Sequence, residues 1–246
     1  MEKTIDQEAI EAMKEDNQGY CTPEYCYRDA KKTHEEVAKR ITNLLNIKKV
    51  DTCLDVGCGF GDLTIAMGKY AGMSYGVDCN EKFIDVCRRK NRRRRNLVFL
   101  NRPSEKLPFE RESINLIVSK TVLEHVDDVD KTLSEMARVI TKRGIVYIEC
   151  PNYMWFWEGH YKVPMIPMMP KPLFKLYLKL IGRPTGFLDG INYVTPNQIE
   201  KVLKSKGLLV VNLSDQIMRK RVGYVLSRIM MFTQLYPTII IKGVKI

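Results

Sequence analysis

The stretch Leu54-Asp55-Val56-Gly57-Cys58-Gly59-Phe60-Gly61-Asp62-Leu63-Thr64 constrains this chain more than any other. Val50, Cys53, Leu54 and Val56 suit a buried strand, and Leu63, Ile65, Ala66 and Met67 suit a helix directly after it. Between them, glycines at alternate positions strip the turn of side chains, so the backbone can bend sharply and a ligand can approach it. Strand, glycine turn and helix N-terminus in that order build a nucleotide-type site in open α/β sheets. The spacing is G-x-G-x-G, one residue tighter than the dinucleotide fingerprint G-x-G-x-x-G, and the acid Asp55 stands just ahead of the first glycine.

Strand and helix patterns alternate along the rest of the chain. An amphipathic helix with Val37, Ile41, Leu44 and Leu45 on one face is expected ahead of the glycine turn, and Thr33 with Glu36 resembles a capping box at its start. Further strands are expected at 74–78, 97–100, 114–118, 145–148, 208–211 and 238–241. Helices are expected from about Glu81, over Val129, Leu133, Met136 and Ile140, from Thr195-Pro196, and across the basic segment from Gln216 to about Leu235. This pitch argues for a doubly wound, mostly parallel α/β sheet in one domain. Its expected parts are an N-terminal cap (1–32), a cofactor-binding core (33–152), a lid-like insertion (153–192) and a segment completing the sheet (193–246).

The formal charge is +11, and Arg88, Arg89, Lys90 and Arg92 to Arg95 crowd one helix end. Such a run suits a solvated helix C-terminus, an anionic membrane surface or nucleic acid, and charge alone does not choose. The polar segment from Met1 to Asp16 lacks a secretory-signal pattern, and no apolar run reaches the length of a membrane span. Seven scattered cysteines without C-x-x-C spacing read as reduced thiols, so a cytoplasmic location is expected.

The glycine turn resembles motif I of the class I S-adenosylmethionine-dependent methyltransferases, and the resemblance extends over about Thr33 to Val211. It implies a Rossmann-like sheet of seven strands with an antiparallel last strand, and S-adenosylmethionine as cofactor. It further implies that Gly57, Cys58, Gly59 and Gly61 line the methionine and ribose part. Asp55 would hold the loop amides, Asp78 would accept both ribose hydroxyls, and Cys79 would lie against adenine. Ser119, at the end of the fourth strand, joins this set. The stretch from Arg102 to Phe109 is similar to the family's G-D-A-E-x-L-P-F signature. Pro103 replaces the aspartate that bonds adenine there, which leaves the backbone of Ser104 and Glu105 for that contact.

Methyl transfer needs an aligned nucleophile and a place for its proton. Three histidines exist; His34 reads as structural or surface, while His125 and His160 follow strands at the expected pocket mouth. The Val-Leu-Glu-His-Val stretch is similar to one in ubiquinone-type O-methyltransferases and in small-RNA 2′-O-methyltransferases. In the RNA enzymes an E-x-x-E-H set and a later histidine bind a divalent metal, and here Thr121 takes the place of the first glutamate. Glu124, His125 and His160, with Glu158, thus suit a general base, a mixed oxygen and imidazole site, or a structural pair. The catalytic expectation is a general base at His125 or His160 with Glu124 beside them, and no metal is expected.

The insertion from Tyr153 to Asn192 holds both tryptophans and a Pro/Met-rich run. A helix from Lys171, with Pro172 in its first turn, is apolar around most of its circumference, so it suits either a packed lid or a surface meeting lipid. The sequence therefore points to O-methylation of a small or lipid-linked acceptor such as a glycan or quinone-like phenol. An RNA methyltransferase and an inactive cofactor-binding scaffold are the alternatives.

Overall fold

The computed structural model describes residues 7, 8, 10, 11 and 23–246; the expected cap over 1–32 falls largely outside them. Seven strands form one sheet in the order β3-β2-β1-β4-β5-β9-β8. They are β1 (Val50–Val56), β2 (Ala71–Asp78), β3 (Leu97–Asn101), β4 (Ile114–Lys120), β5 (Ile140–Pro151), β8 (Leu208–Asn212) and β9 (Thr238–Lys245). The first five are mutually parallel, and β9 runs antiparallel to both of its neighbours. The expected mixed sheet with one reversed last strand is present.

Alternate residues of each central strand go to opposite faces, which is why these strands read as continuous apolar runs. Leu54, Val56, Ile117, Val146 and Ile148 pack with helices α4 (Val129–Val139) and α6 (Pro196–Ser205). Cys53, Leu116, Val118 and Tyr147 pack on the other face with α1 (Pro23–Leu45) and α2 (Asp62–Met67). Helix α3 (Glu81–Lys90) begins at Asn80, whose side chain accepts from the amides of Lys82 and Phe83. Helix α5 (Lys171–Leu180) belongs to the insertion, and α7 (Ser214–Val222) and α8 (Tyr224–Thr233) connect β8 to β9.

Three local expectations are corrected. Thr33 lies inside α1, which starts at Pro23, so the Thr33–Glu36 pair is no helix start. Helix α4 stops at Val139, and Ile140 already has extended backbone and opens β5. The basic segment after Gln216 is two helices separated by Gly223. The insertion carries a feature with no counterpart in the sequence pattern, a small hairpin of β6 (Trp157–Glu158) and β7 (Val163–Pro164). It has its own apolar cluster, centred on Tyr153, Tyr161, Phe174, Leu178 and Leu188.

Candidate active site

In a parallel sheet the loops after the strands gather at the carboxyl edge, and the glycine turn after β1 lies there. Gly57 and Gly59 have φ of 71° and 51°, a region that costs L-residues about 1–2 kcal/mol. A Cβ on Gly57 would stand 2.4 Å from a Val122 methyl, so Val122 closes against the bare backbone. Among the described residues a Cβ on Gly59 would meet nothing within 4 Å, which leaves this face of the turn room for a ligand. The amides of Gly57 and Cys58 donate to Val77 O, tying the turn to β2.

Asp78, at the end of β2, accepts from the Gly59 amide at 2.8 Å through Oδ2 and from the Asn80 amide at 2.9 Å through Oδ1. Its carboxylate thus joins the glycine turn to the start of α3. Asp55 is corrected in its partners: its Oδ2 accepts the Thr64 hydroxyl at 2.7 Å, so it braces the first turns of α2 rather than the loop amides. Burial raises Asp55 to about 7. Thr64 is therefore a residue that motif spacing alone did not single out.

Cys79 is exposed beside this turn. Asn101 donates to the carbonyls of Asp78 and Cys79, and a shallow cleft lined by Glu81, Arg88, Leu100, Asn101, Arg102 and Pro108 opens next to them. Ser104 lies within 3.1 Å of the Thr132 hydroxyl. The Glu105 carboxylate accepts from the amides of Asp127 and Asp128, so its side chain braces the approach to α4 and only its backbone remains for a ligand. Ser119 pairs in register with Val56, directly before the glycines, and its hydroxyl is buried with no hydrogen-bond partner.

The structure brings Glu124, His125 and His160 together, with one ligating atom from each all within 4.8 Å of one another. The turn holding the first two follows β4; the His125 amide donates to Val122 O, the residue packed on Gly57. Asn192, at the end of the insertion, donates its amide to Glu124 O at 2.7 Å and its side chain to Val126 O at 2.6 Å. The C-terminal end of the insertion is thereby anchored beside the cluster.

Glu124 is fully buried with neither carboxylate oxygen hydrogen-bonded among the described residues, and that burial raises it to about 7. Burial, then the neighbouring His160, lowers His125 to about 4, so its ring is neutral at physiological pH. Its Nε2 is 3.9 Å from Glu124 Oε1, too long for a hydrogen bond. His160 is held differently: Nδ1 is 2.7 Å from Glu158 Oε1, and the other oxygen of Glu158 accepts the Tyr161 amide at 2.6 Å. The spacing of Glu124, His125 and His160 suits a divalent ion as well as proton transfer, whereas Glu158 is committed to orienting His160.

One aromatic ring of the insertion lies against both histidines, and a second aromatic pair stacks at its ends. Phe187 lies 5.5 Å from the His125 ring and 5.1 Å from that of His160, and Tyr153 stacks on Tyr193 at 4.8 Å. The arginine run sits elsewhere: Arg92 to Arg95 are exposed in the loop leading into β3, at the amino edge of the sheet.

Residues 54–148 match the family described as "Methyltransferase domain". A demethylmenaquinone methyltransferase of Staphylococcus saprophyticus is 30% identical over 152 residues, covering 60% of this chain and 60% of that protein. The chain thus spans less than two thirds of that relative's length. The YcgJ protein of Bacillus subtilis superposes with a TM-score of 0.60 at 16% identity, over 86% of this chain and 99% of that one. Haemonchus contortus phosphoethanolamine N-methyltransferase 2, solved with phosphomonomethylethanolamine and S-adenosylhomocysteine, gives 0.58 at 16% identity, over 85% and 52%. These two likenesses concern the fold.

Proposed function

We propose that this chain, whose residues 54–148 match a methyltransferase-domain family, uses S-adenosylmethionine to methylate an oxygen of a small, quinol-type aromatic acceptor bound between the glycine turn and the insertion. The observation that carries this reading is the Glu124–His125–His160 cluster, enclosed by Phe187 and held beside the turn through Val122.

The residues fit the cofactor. Gly59 leaves the turn open, Asp78 offers a carboxylate at the end of β2, and Ser119 holds an unsatisfied hydroxyl beside it. When bound, S-adenosylmethionine supplies an electrophilic methyl on a sulfonium. Glu158 binds Nδ1 of His160, which makes Nε2 the nitrogen that takes the acceptor's hydroxyl proton. His125, neutral and lying edge-on to His160 with ring centroids 5.1 Å apart, lines the same space without adding positive charge. Glu124 is a positioning group behind the two rings, neutral while protonated. The insertion contributes, through Phe187, a flat apolar wall of the kind an aromatic ring requires.

The name of the Staphylococcus relative favours a quinone-type acceptor over a glycan, and a polyisoprenoid tail on such an acceptor would make it lipid-linked. The choice of oxygen rests on the histidine cluster alone, because menaquinone differs from demethylmenaquinone by a methyl on a ring carbon. The arginine run gives an RNA acceptor little support, because it opens on the sheet edge opposite the cluster.

The test is methyl transfer from labelled S-adenosylmethionine to naphthoquinol, catechol, glycan and RNA acceptors. Transfer to quinols, abolished in His160→Gln with unchanged S-adenosylhomocysteine affinity, is the expected result. Full activity of both His160→Gln and His125→Gln would overturn the assignment of the base. Transfer to RNA alone would overturn that of the acceptor.

A further inference from the structure

The connection between β8 and β9 is a helical hairpin. Strand β8 ends, and the reversed strand β9 begins, at the carboxyl edge of the sheet, so both roots of the hairpin attach where the candidate site lies. The Asn152 side chain fastens one root, donating to Gln234 O at 2.8 Å and Tyr236 O at 2.7 Å, directly before the insertion. Met218 and Ile217 of α7, with Met230 and Met231 of α8, pack on the two core clusters. Everything from Arg219 to Leu226 is exposed.

The exposed surface combines apolar and cationic side chains. Val225, Ile229 and Phe232 follow one another at helical spacing, and Phe232 is 91% exposed. Val222, Tyr224 and Leu226 widen this apolar stripe at the tip. Arg219, Lys220 and Arg221 end α7, and Arg228 follows in α8, while residues 216–237 contain no acid. Asp215 engages Arg219 at 2.5 Å and lies 3.9 Å from Arg228; Lys220 and Arg221 form no ion pair among the described residues. The insertion offers a similar mixture on the same edge: Leu173, Leu176 and Leu180 are exposed on α5, and of the five cations in residues 159–188 Lys175 is paired with Asp189 at 2.5 Å.

We propose that the tip of the α7–α8 hairpin docks on an anionic lipid bilayer. Val222, Tyr224, Val225 and Leu226 enter the interface while Lys220 and Arg221 meet the headgroups. An apolar stripe bordered by cations and free of acids matches an interface whose surface is negative and whose interior is hydrocarbon. A second copy of this chain would bring the same cations against themselves, which disfavours self-association through this tip. Docking here places the carboxyl edge of the sheet toward the bilayer, where an acceptor with an isoprenoid tail would reside. The docking itself does not depend on the methyl-transfer reading.

The experiment is flotation of the full chain with vesicles of phosphatidylcholine, alone and mixed with phosphatidylglycerol, at physiological salt. Binding to the mixed vesicles and none to neutral ones is expected. Lys220→Gln with Arg221→Gln is expected to weaken that binding about thirtyfold, equivalent to about 1 kcal/mol per cation. Val225→Gln with Leu226→Gln is expected to abolish it, with circular dichroism and melting unchanged because all four positions are exposed. Equal binding to both vesicle types would overturn the proposal, as would none to either. Undiminished binding in both variants would place the contact elsewhere and overturn it too. Concentration-dependent dimerisation lost in Val225→Gln with Leu226→Gln, without vesicle binding, would assign the tip to self-association instead.

Discussion

Replacing Glu124 with Gln tests the electrostatics of the candidate site without using turnover. The carboxyl is fully buried, neither oxygen is hydrogen-bonded, and it titrates at about 7 against an ordinary 4.5. The folded state therefore holds this proton more tightly than the unfolded chain does. The resulting stabilisation is complete below pH 4.5 and is lost as pH rises through 7. At 1.36 kcal/mol per pH unit, that interval amounts to about 3.4 kcal/mol. Gln has the same shape and no proton to lose, so the variant lacks this pH-dependent share. Asp55, raised to about 7 for the same reason, keeps its own contribution in both proteins. Urea unfolding of the unliganded chain from pH 4.5 to 8 measures the difference directly. The expected result is a wild-type stability that falls with pH more steeply than that of the variant, by about 3 kcal/mol over the range. Parallel curves would refute the reasoning and mean that water or another donor reaches the Glu124 carboxylate.

Gly57→Ala should fold with a cost of about 2–4 kcal/mol, from left-handed strain and the clash with Val122, and should lose measurable S-adenosylhomocysteine affinity in calorimetry. Unchanged affinity would show that the turn does not carry the ligand. Phe174→Ala removes a fully buried ring from the insertion's own cluster. It should destabilise by about 3–5 kcal/mol and raise protease cutting within 153–192; equal cutting in both proteins would argue against a separately packed insertion. Methyl transfer should survive dialysis against EDTA, since a proton acceptor is the role assigned to His160. Loss of activity, restored by magnesium or manganese, would reassign Glu124, His125 and His160 as a cation site.

The sheet was legible because β1, β4 and β5 bury both faces and therefore read as unbroken apolar runs, each ended by a turn signal. The glycine turn was legible because few other residues tolerate its backbone. Less was legible where tertiary contacts decide. Thr33 and Glu36 have capping-box spacing, yet α1 runs through them from Pro23. A lone glycine inside a helical pattern does not by itself announce a reversal, yet Gly223, with its positive φ, turns one basic helix into a hairpin. Asp55 stands at its motif position, but its partner Thr64 comes nine residues later, in the first turn of α2, and carries no local signal. The alternation Glu158-x-His160 was visible, whereas the commitment of Glu158 to His160 Nδ1 emerges only from the hairpin geometry of the insertion. Phe187 was hidden for a similar reason: nothing in its neighbourhood of sequence shows that it lies against both histidines.

The most direct test is isothermal titration of the folded chain with S-adenosylhomocysteine, repeated on Asp78→Ala. The account predicts one site per chain, with affinity at least about tenfold weaker in the variant, because the carboxylate both grips the sugar and ties Gly59 to α3. No heat of binding from well-folded wild-type protein, or tight binding of NAD in its place, would contradict it.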